Sequence, residues 1–111
     1  MPPISYEDFE KVDIRSGCIL KAEDFPAARK PAYKLWIDFG PLGIKQSSAQ
    51  ITRLYAREEL AGRQVLAVVN FKPKQVADFI SEVLVLGVVL EGGGVALIAP
   101  DRQAPPGMRV S

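Results

Sequence analysis

Two polar stretches of the sequence carry side chains that could bind a ligand. The first, residues 70–82, lies between two dense apolar runs. Lys72 and Lys74 can attract anions, and Phe71 and Phe79 can contact apolar or planar groups. A loop that carries functional side chains and is held by a rigid sheet is a common form of binding surface. The stretch therefore predicts a surface for an anionic or an apolar ligand.

The second polar stretch, residues 44–51, is predicted to be a strand although it carries almost no bulky apolar residue. Its small hydroxyl and amide side chains would let a ligand backbone approach and would offer both donors and acceptors. An edge strand that is kept polar to avoid aggregation would have the same composition. We favour the first interpretation, in which this strand contributes to the binding surface.

The residues needed for several kinds of enzyme chemistry are absent. The chain has no histidine, which removes the commonest general base and most zinc chemistry. Its one cysteine, Cys18, cannot form an intrachain disulfide, and we predict it to be a small core residue. No GxxxxGK[ST] or GxGxxG motif occurs. We therefore predict a protein that is not an enzyme and that has no cofactor or metal ion.

Charge is unevenly distributed along the chain, although the net charge is only +1. Residues 29–74 hold nine basic and three acidic side chains, whereas residues 1–28 and 75–111 are both net acidic. A local basic face is the electrostatic footprint of a protein that binds a polyanion. A solvated, lysine-rich surface without a ligand would give the same counts, so both interpretations stay open.

The hydrophobic pattern predicts one all-β domain over residues 1–111, a length that allows a single modest core. Residues 12–23 and 33–39 alternate between apolar and polar side chains, as half-buried strands do. The first of these strands has Cys18 and Leu20 on its apolar side. No apolar run approaches the ~20 residues of a membrane span, and the N-terminus does not resemble a signal peptide. We expect a cytoplasmic protein without membrane insertion.

Local signals complete the predicted architecture. Ser5, with Asp8 three residues later, predicts a short capped turn, and Gly17 predicts a bulge or a bend. Thr52 is predicted to cap a short helix over residues 53–61. Further strands are predicted in the apolar runs at residues 65–69, 83–86 and 95–98. A five-stranded barrel with a short helix between the third and fourth strands is the OB-fold, which binds oligomers across one face.

The only tryptophan, Trp36, falls on the polar side of the strand at residues 33–39. An exposed tryptophan there could be a platform on which a ligand stacks. Alternatively, the side chain could pack beneath a loop or a partner subunit, and we favour this second interpretation.

Five sequence blocks together resemble a known family. They are Asp13-Ile14-Arg15-Ser16-Gly17, residues 34–40, residues 45–52, Val68-Val69-Asn70-Phe71 and residues 81–87. The family is that of the CsaA-type chaperones, small export-related proteins built on a tRNA-binding-type OB domain. The resemblance implies a homodimer that binds unfolded or precursor polypeptides and works with the protein-export machinery. The wider domain family is known for binding tRNA.

The resemblance also covers the loop that carries the lysines. The wider family has an asparagine there, then a basic-proline-basic triplet, then a serine followed by Gly-Met. Asn70, residues 72–74 and Ser81 match this pattern, whereas Val83 and Leu84 stand where Gly-Met is usual. The departure fits a more apolar site that faces a peptide.

Two ligands are therefore predicted for one surface. A polypeptide would place its apolar side chains on the phenylalanines, and polar side chains of residues 44–51 would bond its backbone. A tRNA would place phosphates on the basic side chains and an unpaired base on an aromatic ring. The predicted binding residues are Lys45, Gln46, Ser47, Ser48, Gln50, Arg53, Asn70, Phe71, Lys72, Lys74, Phe79 and Ser81.

Overall fold

The structure is a computed structural model that describes residues 1–111 and consists mostly of short strands. One α-helix, α1 (Tyr6–Glu10), precedes them, and no helix has the length and apolar character of a membrane span. In chain order the strands are β1 (Ile14–Asp24), β2 (Tyr33–Asp38), β3 (Ile44–Ala49), β4 (Gln64–Val68), β5 (Lys74–Val76), β6 (Phe79–Ser81), β7 (Leu84–Val85), β8 (Gly87–Val89) and β9 (Val95–Leu97).

Five of the strands form an antiparallel sheet in the order β3-β2-β1-β4-β7, and two hairpins, β5–β6 and β8–β9, are attached to it. The long strand β1 pairs with β4 along its first half and with β2 along its second half, so the sheet curves. The two ends of the sheet meet where β3 contacts β6 and β7. This nearly closed barrel confirms the predicted all-β, five-stranded OB-fold.

Strand β2 supplies much of the barrel interior. The alternation predicted for residues 33–39 is confirmed, because Tyr33, Leu35, Ile37 and Phe39 are all buried. Their burial is a main source of stability, since a fully buried Leu, Ile or Phe contributes roughly 1.5–3 kcal/mol.

Strand β1 alternates differently from the prediction. A bulge lies between Ile19 and Lys21, so the side of the sheet on which successive side chains lie changes there. Before the bulge the core side of the strand carries Gly17 and Ile19 rather than Cys18, so Leu20 is 47% exposed. Beyond the bulge Ala22 packs against the core, as predicted. The half-buried Cys18 is also less enclosed than the core position that we predicted.

Gly17 does not mark the bulge. It pairs regularly with Val65 in β4, and a Cβ atom at this position would lie 2.7 Å from side-chain atoms of both Ile37 and Phe39. That distance is shorter than a van der Waals contact, so the filled barrel interior leaves space only for glycine.

The helix predicted over residues 53–61 is not confirmed, because the segment contains only a 3₁₀ turn, Arg57–Glu59. Two hydrogen bonds fix Tyr55 just before it. The Tyr55 carbonyl accepts from the Tyr33 hydroxyl at 2.7 Å, and the Tyr55 hydroxyl accepts from the Leu97 N–H at 2.9 Å. These tertiary contacts override the local helix propensity.

The predicted N-terminal turn is present. The Ser5 hydroxyl accepts a hydrogen bond from the Asp8 N–H at 3.1 Å, and the Asp8 carboxylate accepts one from the Ser5 N–H at 3.4 Å. The first N–H groups of a helix have no partner within the helix, and this capping box provides partners for two such groups at the start of α1.

The C-terminal segment, residues 105–110, runs beside the start of β1. The Ser16 hydroxyl donates to the Pro105 carbonyl at 2.8 Å and accepts from the Met108 N–H at 3.0 Å. The Ser16 N–H also donates to the Met108 carbonyl at 2.9 Å. The side chain and the backbone of Ser16 therefore both hold this segment on the barrel.

An ion-pair cluster reinforces the same contact. The Arg15 Nε lies 2.7 Å and the Arg109 Nε 3.7 Å from a carboxylate oxygen of Asp13. The hydrogen bond from Arg15 lowers the pKa of Asp13 below its ordinary value of 3.8; the charges of Arg15 and Arg109 act in the same direction, and partial burial opposes them. Arg15 also donates to the Gly107 carbonyl at 3.0 Å.

A second, smaller apolar cluster lies beneath hairpin β5–β6. We call it the hairpin cluster, and it consists of Phe25, Ala32 and Phe79. The Phe79 ring contacts the rings of Phe25 and Trp36 edge to face, with centroids 5.6 and 5.7 Å apart. Trp36 is half-buried, and the Lys21 ammonium lies 4.3 Å from the centroid of its ring. Trp36 thus packs beneath a loop, as the favoured interpretation predicted.

The ion-pair cluster predicts a pH-dependent effect of Asp13→Asn. Because the pKa of Asp13 is lower in the folded state, its carboxylate stabilises the fold above pH 3.8, and this contribution is lost as the pH falls through the lowered pKa. We expect the variant to lose roughly 1–2 kcal/mol of unfolding free energy at pH 7 and much less at low pH. Urea unfolding at both pH values measures this. Asp101→Asn, which removes an exposed carboxylate without an ion pair, is the control, and an equal Asp13→Asn loss at both pH values would contradict the account.

The hairpin cluster predicts that Phe79→Ala affects stability. Phe79 is 7% exposed, so its truncation should lower the unfolding free energy by roughly 3–5 kcal/mol. Phe71→Ala is the matched control, because Phe71 is 56% exposed and should change stability by less than about 0.5 kcal/mol. Urea denaturation compares the two variants. Equal stabilities would show that Phe79 does not anchor the hairpin.

Candidate functional site

An open groove of about 1130 Å³ lies between the barrel and hairpin β5–β6. We call it the main groove. Its lining comes from the loop before β2, the end of β3 and the two residues after it, the hairpin, residues 83–87, and one valine each from β8 and β9. Twelve of its 20 lining residues are hydrophobic, and none of the 20 is aromatic. The groove can therefore surround aliphatic groups but offers no ring for stacking.

Hairpin β5–β6 forms the outer wall of this groove. Its turn is Ala77-Asp78, and Ala77 has a φ of 53°, in the left-handed region that glycine favours. The Phe79 side chain fixes the hairpin on the loop before β2 through the hairpin cluster. The exposed side chains of Lys74 and Gln75 consequently lie along the groove.

A smaller depression of about 520 Å³, the side groove, adjoins the main groove. Phe71, Lys72 and Glu82 line it, together with four residues that also line the main groove. The shared residues are Lys74, Ser81, Val83 and Leu84. A ligand in either groove would therefore meet the same lysine and the same serine.

The polar residues of β3 close the barrel. The Ser81 hydroxyl accepts a hydrogen bond from the Ser48 N–H at 3.0 Å, and the Glu82 carboxylate accepts one from the Gln46 N–H at 3.0 Å. The Gln46 side chain donates to the Ile80 carbonyl at 2.7 Å. Part of the polarity of this strand therefore has a structural cause, and Ser48 and Gln50 are the only polar residues of the stretch 44–51 that line the main groove.

The structure brings half of the predicted binding residues to the grooves. These six are Ser48, Gln50, Phe71, Lys72, Lys74 and Ser81. The other six line neither groove. Ser47 is fully buried and faces the core, and Phe79 belongs to the hairpin cluster, so a ligand cannot contact either side chain directly. Lys45 and Gln46 lie at the beginning of β3, outside both grooves.

Arg53 and Asn70 hold loops in place. The Arg53 guanidinium donates to the Gly92 carbonyl in the turn of hairpin β8–β9. The Asn70 side chain accepts from the Asp13 N–H at 3.0 Å and donates to the Lys11 carbonyl at 2.7 Å. The oxygen and the NH2 of the Asn70 side-chain amide thus connect the end of β4 with the segment before β1.

Two charged groove residues were missed from the sequence, Arg29 and Lys30 in the loop before β2. The only available signal was that they are adjacent basic residues at the beginning of the basic stretch. With Lys74 they are the only charged residues that line the main groove. No group of three or more His, Cys, Asp or Glu side chains is arranged to hold a metal ion.

Residues 14–109 match the family model described as a putative tRNA binding domain. The chain is also similar to the methionine–tRNA ligase of Nitrosomonas eutropha, with 42% identity over 109 residues. That similarity covers 96% of this chain but 15% of the ligase, so the chain spans about a seventh of the length of such relatives.

Two solved chaperone structures are similar over nearly the whole chain. The chaperone CsaA of Bacillus anthracis strain Ames has 54% identity and a TM-score of 0.94, covering 99% of this chain and 100% of that one. The CsaA chaperone protein of Picrophilus torridus has 53% identity and a TM-score of 0.92, covering 98% and 100%. These similarities confirm the resemblance to CsaA-type chaperones. Since the family model covers most of the sequence, the chain belongs to the putative tRNA binding domain family.

Proposed function

We propose that the protein is a non-enzymatic chaperone that binds unfolded or precursor polypeptides in the main groove. The observation that carries this proposal is the aliphatic lining of a groove of about 1130 Å³. Such a lining accepts apolar side chains of many shapes, because the hydrophobic effect is not directional. The similarity to two CsaA chaperones over almost the whole chain supports the same function.

An extended polypeptide segment fits the distribution of polar and apolar groups along the groove. Leu84 and Val89 expose aliphatic surface that the side chains of a segment would cover. Ser48, Gln50 and Gln75 offer hydroxyl and amide groups to its backbone. Such contacts recognise an unfolded chain without reading its sequence.

We further propose that the protein acts as a homodimer, serves protein export and works in the cytoplasm. The dimer has support from an exposed apolar surface. Tyr6 of α1 and Met108 of the C-terminal segment are both largely exposed, and Arg109 joins the two elements by donating to the Glu10 carbonyl at 2.7 Å. A second copy would cover these side chains in a two-fold symmetric pair, the commonest closed arrangement.

Binding of tRNA is the second candidate function, and the side groove favours it. Phe71 is largely exposed there beside Lys72 and Lys74. An aromatic ring next to two cations can stack on an unpaired base while the cations contact phosphates. The family description points to the same ligand.

The proposed chaperone function predicts the effect of Leu84→Asp. Leu84 is 48% exposed and lines both grooves, so a carboxylate there should weaken binding of an unfolded model polypeptide by roughly tenfold. Leu20→Asp is the matched control, because Leu20 is 47% exposed and lines neither groove. Fluorescence anisotropy measures the affinity, and a thermal melt verifies folding. Equal affinities of two folded variants would place the binding site elsewhere.

The second candidate function, tRNA binding, predicts how the double variant Lys72→Glu with Lys74→Glu changes the salt dependence of the affinity for tRNA. If both lysines contact phosphates, the slope of log affinity for tRNA against log salt should fall by roughly 1.4–1.8. Suppression of polypeptide aggregation should fall only modestly. The control, Lys11→Glu with Arg102→Glu, makes the same change in net charge outside both grooves. An unchanged slope in the groove variant would exclude tRNA from the side groove.

A further inference from the structure

The charges of the main groove lie on one of its two walls. Arg29 and Lys30 belong to the loop before β2, and Lys74 belongs to hairpin β5–β6. These two elements form one wall, because Val76 of the hairpin and Ala28 of the loop pack against the same hairpin cluster. The remaining lining comes from the barrel and from hairpin β8–β9, and it carries no charge.

None of these three cations has an acidic partner within the protein. Five other cations of the chain are paired, among them Arg15 with Asp13 at 2.7 Å and Arg57 with Asp24 at 3.0 Å. No ion pair or side-chain hydrogen bond involves Arg29, Lys30 or Lys74, and no acidic residue lines the main groove. The cationic wall is therefore free to attract anions.

The facing wall decides what kind of anion fits. Val85, Val89 and Val95 are among its aliphatic side chains, and no aromatic ring lines the groove. Proteins that bind single-stranded nucleic acid combine cations with aromatic rings on which bases stack. A polypeptide, in contrast, can carry carboxylates and aliphatic side chains together. In an extended segment, successive side chains lie on opposite sides.

We propose that the main groove selects extended polypeptide segments in which acidic and aliphatic residues alternate. The carboxylates face Arg29, Lys30 and Lys74, and the aliphatic side chains face the barrel wall. This selectivity rests on the proposed polypeptide-binding function and names the class of segment that the groove prefers. Complementary charge fixes the orientation of the segment, while the aliphatic contacts hold it.

Three fluorescent ten-residue peptides test the selectivity. All carry valine at alternate positions, and the intervening residues are glutamate, serine or lysine. Each exposed ion pair contributes a few-fold at most, so we expect the wild-type protein to bind the glutamate peptide about tenfold more tightly than the lysine peptide. The preference should shrink as ionic strength rises from about 0.05 to 0.5 M.

The variant Arg29→Glu with Lys30→Glu should abolish or reverse this preference, and it should fold because both side chains are exposed and unpaired. The control, Lys11→Glu with Arg102→Glu, has the same net charge as this variant and should keep the preference for the glutamate peptide. Equal wild-type affinity for all three peptides would overturn the selectivity and leave the proposed function intact. If the wild-type protein binds neither these peptides nor an unfolded polypeptide, both the selectivity and the proposed chaperone function are overturned.

A nucleic-acid outcome is separated in the same experiment. A single-stranded RNA oligonucleotide is added as a competitor of the glutamate peptide. Two results together would mean that the cationic wall binds phosphates. The RNA would have to displace the peptide, and the Arg29→Glu, Lys30→Glu variant would have to lose as much affinity for the RNA as for the peptide. That result would overturn the proposal, whereas RNA that does not compete supports it.

Discussion

The edge of β3 must find hydrogen-bond partners, and the way it does so shapes the binding surface. An edge strand with unpaired backbone groups invites association with other chains. Here two side chains, the Ser81 hydroxyl and the Glu82 carboxylate, accept hydrogen bonds from the N–H groups of Ser48 and Gln46. Because Ser81 ends β6 and Glu82 follows it directly, the closure of the barrel also fixes hairpin β5–β6 at the seam. The two grooves adjoin there and share Ser81.

The period-two pattern of the sequence predicts the barrel where the strands are regular. In β2 every second residue from Tyr33 is buried, as the pattern requires. In β1 the same reasoning puts Cys18 rather than Ile19 in the core, although Ile19 is the buried residue. The bulge after Ile19 then shifts the alternation so that Ala22 packs against the core, and no residue type in the sequence marks the position of the bulge. The segment at residues 53–61 has helix-forming residues, but its conformation depends on a hydrogen bond to Tyr33 that a local pattern cannot reveal. Long-range contacts thus decided what the sequence left open.

The sequence predicts which lysines of the candidate site are exposed, because charge keeps them near water. It does not predict which aromatic rings are exposed. Lys72 and Lys74 lie at the grooves because an unpaired ammonium must stay near water. Phe71 and Phe79 are similar in the sequence, yet one is exposed and the other anchors the hairpin. Arg29 lies far from the lysines along the chain, and only the packing of the loop before β2 against the hairpin brings it to the same wall.

The pairing of residues 105–110 with the start of β1 determines the order in which the fold can be completed. Ser16 and Met108 are 92 residues apart, so their hydrogen bonds close a very long loop. Closing such a loop costs conformational entropy before the contacts repay it. During synthesis β1 is made early, but its first half, which pairs with β4 on one side, gains a neighbour on its other side only after residues 105–110 have emerged. Full enclosure of the start of β1 therefore depends on a segment that is made long after it, and this enclosure is a late event in folding.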